Sequence, residues 1–270
     1  QPYMRTILRE PGAALPEGCI YDSNRYTITG LLAGLGCAVD DLGIIEDRPE
    51  AIRAALEPLR KGDVQIAVLP PPMILELIAA QARIVVVANL LANDPIELVV
   101  RRSVAQDKHI PSSGPVADRL RAMKGLRVGV APNPPVRLRL LFSSYGLDAD
   151  RDIELVTLGG RQQNAAFADG RVDALYAHTP FVETALVDQD AVMVVNQSAG
   201  EVPELANRQI HALVVSRELS QTRRDLVGRL VRAIDRAEQR IRADPGFAVE
   251  ALLREFPNLE RRKLETIVGL

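Results

Sequence analysis

The sequence predicts an α/β fold of two lobes with a ligand cleft between them. Three observations carry that expectation. Strand-like and helix-like segments alternate along all 270 residues, the pattern of helices laid on mainly parallel sheets. The alternation breaks at a polar stretch, Arg102 to Pro115, and restarts at Leu126. An internal echo links the two stretches. Gly62-Asp63-Val64-Gln65-Ile66-Ala67-Val68 is followed by Pro72, and Gly170-Arg171-Val172-Asp173-Ala174-Leu175-Tyr176 by Pro180, at the same spacing. In open α/β sheets ligands sit beyond the carboxyl ends of strands, so both Pro loops are expected to face one cleft.

Taken in order, Arg5 to Arg9 reads as a weak strand and Asp22 to Leu35 as a helix capped by Asp22 or Ser23 and stopped by Gly36. Ala38 to Ile45 reads as a strand, and Pro49 to Arg60 as a helix with proline in its first turn. Strand, helix and strand follow at Val64 to Leu69, Met73 to Ala82 and Arg83 to Leu90; Pro95 to Arg101 looks extended. Arg102 to Pro115, rich in Ser, Pro, Asp and Lys, reads as a loop or crossover. In the second stretch, strands are expected at Leu126 to Val130, Ile153 to Thr157, Val172 to Ala177, Ala191 to Val195 and Ile210 to Ser216. Helices are expected at Pro135 to Tyr145, Arg161 to Asp169 and Phe181 to Leu186. The tail predicts a long helix, Gln221 to Ala243, with Leu226, Leu230, Ile234, Ala237 and Ile241 on one face. Two shorter helices follow, Phe247 to Phe256 and Glu260 to Val268. Lobe one is expected to hold residues 1–97 and 203–270, and lobe two 98–202.

Composition excludes several classes. Hydrophobic residues at 47% and charged residues at 25% are those of a globular chain, not a disordered one. The 33 basic and 35 acidic residues leave a net charge of -2, so the basic excess of a nucleic-acid binder is missing. Aromatics make up 4% with no Trp, which leaves little to build base- or sugar-stacking platforms. No apolar run reaches the ~18 residues of a membrane span. Cys19 and Cys37 with three scattered His suggest neither a disulfide framework nor a metal centre. Gln1 is no initiator and no apolar leader segment follows it. The expectation is a mature exported chain, with a cytoplasmic one beginning at Met4 as the alternative.

Particular strings carry two resemblances. Gly62-Asp63-Val64-Gln65-Ile66-Ala67 with its Pro loop, Leu126-Arg127-Val128-Gly129-Val130, Gly170-Arg171-Val172-Asp173-Ala174 and Ala243-Asp244-Pro245 after a long helix keep a common order. Over about 59–270 the chain thereby resembles the periplasmic substrate-binding proteins of nitrate, sulfonate and taurine importers and their thiamine-precursor-binding relatives. That resemblance implies the two-lobe, type II periplasmic-binding-protein fold, a small anionic or polar organic ligand, a membrane permease of the ABC class as partner, no cofactor and no catalysis. Leu15 to Tyr26, containing Tyr21-Asp22-Ser23-Asn24-Arg25, followed by Leu42-Gly43-Ile44-Ile45-Glu46-Asp47, is similar to part of the molybdopterin-binding domain of molybdenum-cofactor biosynthesis proteins, over about 11–57. Two loops of that family are missing: Leu8-Arg9-Glu10-Pro11-Gly12 stands for its Thr-Gly-Asp-Glu segment, and Leu69-Pro70-Pro71-Pro72 for its Ser-Gly-Gly loop. A pterin enzyme is therefore the alternative reading, and a cytoplasmic ligand-sensing domain on the same binding fold a third.

Candidate ligand residues follow from strand-to-helix turns, where free N–H groups attract anions. Asn133-Pro134-Pro135 opens a helix after a strand; the prolines remove two donors and leave Asn133 and Arg137, the latter as a bidentate fork for a carboxylate or sulfonate. The Gly159-Gly160 turn brings Gly160, Gln162 and Gln163 forward, and Asn24 and Arg25 hold the equivalent helix start in lobe one. Pro72 and Met73 on one Pro loop, His178 and Thr179 on the other, are expected at the cleft rim. His178 is open to three readings: a base, a neutral donor to a ligand oxygen, or a packed loop residue. Asn93-Asp94-Pro95 and Asn196-Gln197-Ser198 read as crossovers that need carry no ligand contact. No Gly-x-Ser-x-Gly elbow, phosphate-binding loop or dinucleotide fingerprint occurs.

Overall fold

The apolar runs form two separate sheets. The computed structural model describes residues 8–9, 20–21, 29, 39, 41, 43–44, 49–131, 135–159, 162–257 and 259–269. By internal contacts it divides into two units: residues 1–92 with 209–256, and residues 93–208 with 257–270. The boundaries expected at 97 and 203 thus fall at 92 and 208. The last segment also changes side, because its helix packs on a helix of the second unit.

In unit one, β1 (Leu8–Arg9) and β2 (Ile20–Tyr21) make a short parallel pair. Of the expected helix from Asp22 to Leu35 only Thr29 is described, and it is helical. The expected strand from Ala38 to Ile45 is not formed at the described positions 39, 41, 43 and 44. The Gly43 N–H turns back onto Asp41 Oδ1 at 2.9 Å, and Gly43 has φ +71°, a turn that extended chain cannot make. Helix α1 (Pro49–Lys61) starts on proline, with Glu50 in its first turn and Arg60 and Lys61 in its last, each suited to the helix dipole. Then come β3 (Ile66–Leu69), α2 (Pro71–Ala79) and β4 (Ile84–Leu91). Leu56, Leu59, Leu69, Ile74, Leu77, Ala212 and Val214 form the core here.

In unit two, β5 (Ile96–Arg101) is buried over its first five residues. The stretch expected as loop contains α3 (Arg102–Asp107), and α4 (Val116–Ala122) follows Pro115. Next are β6 (Arg127–Val130), α5 (Pro135–Ser143), α6 (Ala149–Asp152), β7 (Glu154–Thr157) and α7 (Gln162–Ala168). They are followed by β8 (Ala174–His178), α8 (Phe181–Asp188), β9 (Ala191–Val195) and a single 3-10 turn at Pro203–Leu205. Tyr176, Phe142, Leu98 and Leu138 are among the fully buried side chains around which this unit packs.

The chain returns to unit one as β10 (His211–Ser216), α9 (Arg217–Thr222), α10 (Arg224–Ala243) and α11 (Pro245–Glu255). The expected long helix is broken at Arg223, so α10 begins three residues late. It packs on β4 and α11 and buries Leu230, whereas Ile241, expected on that face, is exposed. Helix α12 (Arg261–Gly269) packs on α8, where Lys263 Nζ meets Asp188 Oδ2 at 2.6 Å.

Neither main sheet is wholly parallel. The unit-one sheet runs β3-β10-β4, with β10 antiparallel to both neighbours. The unit-two sheet runs β7-β6-β8-β5-β9; β6 is parallel to β7 and β8, while β5 is antiparallel to β8 and β9. Each reversed strand is the first one made after the chain crosses between units. All the carboxyl ends of β6, β7, β8 and β9 therefore share one edge of the unit-two sheet with the amino end of β5.

Candidate functional site

That shared edge carries several polar side chains of unit two. Helix α5, which follows β6, carries Arg137 there. Its Nη1 lies 3.0 and 2.7 Å from the two carboxylate oxygens of Asp94, just ahead of β5. Asp94 is buried and Arg137 half exposed. The fork expected at Arg137 is thus engaged at Nη1 by the Asp94 carboxylate, on a side chain that stays half exposed.

His178 ends β8, with its Nδ1 2.9 Å from the Pro95 carbonyl oxygen. A carbonyl only accepts, so Nδ1 carries the proton and Nε2 is left as an acceptor. Burial lowers the imidazole's pKa, against the opposing pull of the Pro95 carbonyl and of Asp94. The neutral ring has then no N–H to give a ligand oxygen, which removes one of its three expected roles. Thr179 turns the other way, its hydroxyl donating to Glu183 Oε1 at 2.8 Å.

Two acids missed by sequence reasoning lie beneath these residues. Glu97 interrupts the apolar run of β5 and is 1% exposed; Glu183 on α8 is likewise 1% exposed. Ser198 Oγ donates to Glu97 Oε1, while Oε2 of both glutamates is buried without a hydrogen-bond partner. Burial is the main cause that pushes the Glu97 pKa up to about 7, with the charges of Glu183 and Asp94 adding to it and the Ser198 hydrogen bonds opposing. Burial raises Glu183 as well, offset by its own backbone N–H and the Thr179 hydroxyl. Nearby, buried Tyr176 donates its hydroxyl to Gln197 Oε1 at 2.8 Å.

The expected crossovers also do more than connect. Asn93 Nδ2 donates to the Ser198 carbonyl at 2.8 Å, and Asn93 Oδ1 accepts from the Asn207 N–H at 2.9 Å. One side chain thus ties the start of β5 to the loop after β9 and to the second crossing. The sequence signal for Glu97 was visible, a lone charge between Ile96 and Leu98-Val99-Val100; that Asp94, Glu97 and Glu183 converge was not.

The remaining candidates are dispersed. Gln162 is exposed and its Oε1 accepts from the Gly159 N–H at 3.3 Å, so it serves its own turn; Gln163 is buried. In unit one, Pro72 is exposed in the first turn of α2, and Met73 is partly buried and packs against the Leu56–Leu77 core. Asn24, Arg25, Asn133 and Gly160 lie outside the described residues. Asp173 precedes β8 and accepts from Arg127 at three donors: N at 2.9 Å, Nε at 3.0 Å and Nη2 at 2.6 Å. No helix among the described residues is long and apolar enough to cross a membrane.

The fold is the two-lobe periplasmic-binding-protein fold, and solved structures share it. The periplasmic aliphatic sulphonate binding protein SsuA of Escherichia coli matches at 16% identity with a TM-score of 0.57, over 81% of this chain and 69% of that one. The alkanesulfonate-binding protein SsuA of Xanthomonas axonopodis pv. citri, bound to MOPS, matches at 20% identity and a TM-score of 0.50, over 80% and 69%. An ABC transporter structure from Parabacteroides distasonis matches at 18% identity and a TM-score of 0.54, over 96% and 82%. The NMT1-like family model matches residues 47–253, most of the chain, and the protein belongs to the NMT1-like family. A second model, described as "Probable molybdopterin binding domain", matches residues 7–68 and overlaps the first at 47–68.

Proposed function

We propose that the protein is the solute-binding component of an ABC-type importer. It holds a small anionic or polar organic solute, of the sulfonate, nitrate or thiamine-precursor class, and presents it to a membrane permease outside the cytoplasm. The carrying observation is the shared carboxyl edge of the unit-two sheet, where Arg137 stands half exposed over buried Asp94. Binding and release without covalent chemistry suit that edge, where Glu97 and Glu183 are buried away from solvent. The sulfonate-binding neighbours support the solute class.

Native mass spectrometry of the purified protein, looking for a retained solute, tests the reading, and calorimetry with that solute follows. Arg137→Ala is expected to weaken binding of an acidic solute by about 1.5–3 kcal/mol, the scale of a charged hydrogen bond. Arg137→Lys is expected to recover part of it, since Lys lacks the planar fork. Affinity unchanged in the alanine variant would reduce Arg137 to the partner of Asp94. The match at 7–68 favours one other reading, a pterin enzyme. Metal-dependent conversion of molybdopterin by the pure protein would establish that reading in place of the first.

A further inference from the structure

Helix α10 carries an arginine row that the solute-binding role does not use. Arg229, Arg232, Arg236 and Arg240 recur at spacings of three and four, so they share one stripe, and all four are exposed. Acids answer only the two ends: Arg229 pairs with Asp225 at 3.4 Å and Arg240 with Asp244 at 2.9 Å. Arg232 and Arg236 make no ion pair among the described residues. Asp235 accepts instead from Gln239 Nε2 at 2.9 Å.

A second, independent feature adjoins the row. Phe247, on α11, is 41% exposed. The Arg240 guanidinium lies over the Phe247 ring, 4.9 Å from its centroid. Guanidinium groups fork phosphate oxygens, and exposed aromatic and aliphatic side chains beside a basic row enter the boundary between headgroups and acyl chains. The whole chain carries a net charge of -2, so overall charge supplies no attraction to an anionic surface; the row alone must do so.

We propose that α10, together with Phe247, is a docking face for an anionic phospholipid surface. An acidic protein would match the arginines but leave the exposed Phe247 without a role.

The test is sedimentation of the full chain with vesicles of phosphatidylcholine, and of phosphatidylcholine mixed with phosphatidylglycerol. The protein is expected to sediment only with the mixed vesicles, and to be released as salt rises from ~0.05 to ~0.5 M. The double variant R232E/R236E is expected to lower partitioning by at least about 25-fold, roughly five-fold for each charge removed. F247A is expected to weaken binding while leaving its salt dependence intact. Circular dichroism and thermal unfolding check that each variant folds. Absence of binding to the mixed vesicles, equal binding to both kinds, or unchanged partitioning of R232E/R236E would overturn the proposal.

Discussion

Arg119→Ala is expected to lower the stability of unit two by about 2–3 kcal/mol, less than the full cost of breaking a buried ion pair because the Glu201 left behind is 32% exposed. Arg119 on α4 is 5% exposed. Its guanidinium donates to the Val194 carbonyl on edge strand β9 and to Glu201 Oε1. Glu201 Oε2 in turn accepts from the Asn196 N–H at 2.8 Å, which holds the loop after β9. Alanine leaves the carbonyl and the carboxylate without their donor and opens a void beneath α4. Arg119→Met keeps most of the volume and removes a buried Nε that has no hydrogen-bond partner, so about half of the loss should return. Urea unfolding, followed with probes in both units, measures this. A shift below about 1 kcal/mol for alanine would mean that the pair is balanced by its own desolvation.

The second large effect is a dependence of stability on pH that originates in Glu97. Its folded pKa, about 7, lies above the ordinary value of 4.5. The folded state therefore holds the proton more tightly than the unfolded chain does. The corresponding stability is complete below pH 4.5 and is lost as pH rises through 7, a total of about 3 kcal/mol. Glu183 is shifted in the same direction. His178, lowered by burial, acts oppositely: its contribution is present above pH 6.5 and is lost as pH falls. Comparing Glu97→Gln with the native protein at each pH isolates the single group. Glutamine keeps an oxygen for the Ser198 hydroxyl and never ionises. The variant is expected to match the native protein near pH 4.5 and to exceed it by about 2–3 kcal/mol near pH 8. Parallel stability curves would show that Glu97 stays ionised when folded.

Much of this architecture could be read from the residues. Apolar runs such as Val172 to Ala177 and Ala191 to Val195 mark strands because both faces of the sheet are covered. Proline placement at the first turn marked α1 and α5. Direction was another matter. Periodicity tells that Ile96 to Arg101 is a strand, but not that it enters its sheet reversed, since that depends on partners distant in sequence. Helix α3, with six residues, is shorter than the window in which a 3.6-residue repeat can be recognised. The site was legible in part. Arg137 and His178 were marked by following strands, whereas Asp94 stood in a segment that reads as a mere linker. Its pairing with Arg137 is a product of the sheet order, which places the amino end of β5 beside the carboxyl ends of its neighbours.

That sheet order also sets a timetable for synthesis. β3 and β4 make no ladder with each other; β10 lies between them and supplies the partner of both. Yet β10 leaves the ribosome only after every strand of unit two. At roughly 5–20 residues per second, β4 waits about 6–24 s for its neighbour. During that interval the five strands of unit two can close their sheet, while β3 and β4 keep unpaired edges open to other chains. A nascent chain halted before His211 should therefore protect β5 to β9 from hydrogen exchange and leave Ile84 to Leu91 unprotected, a natural client for a holdase.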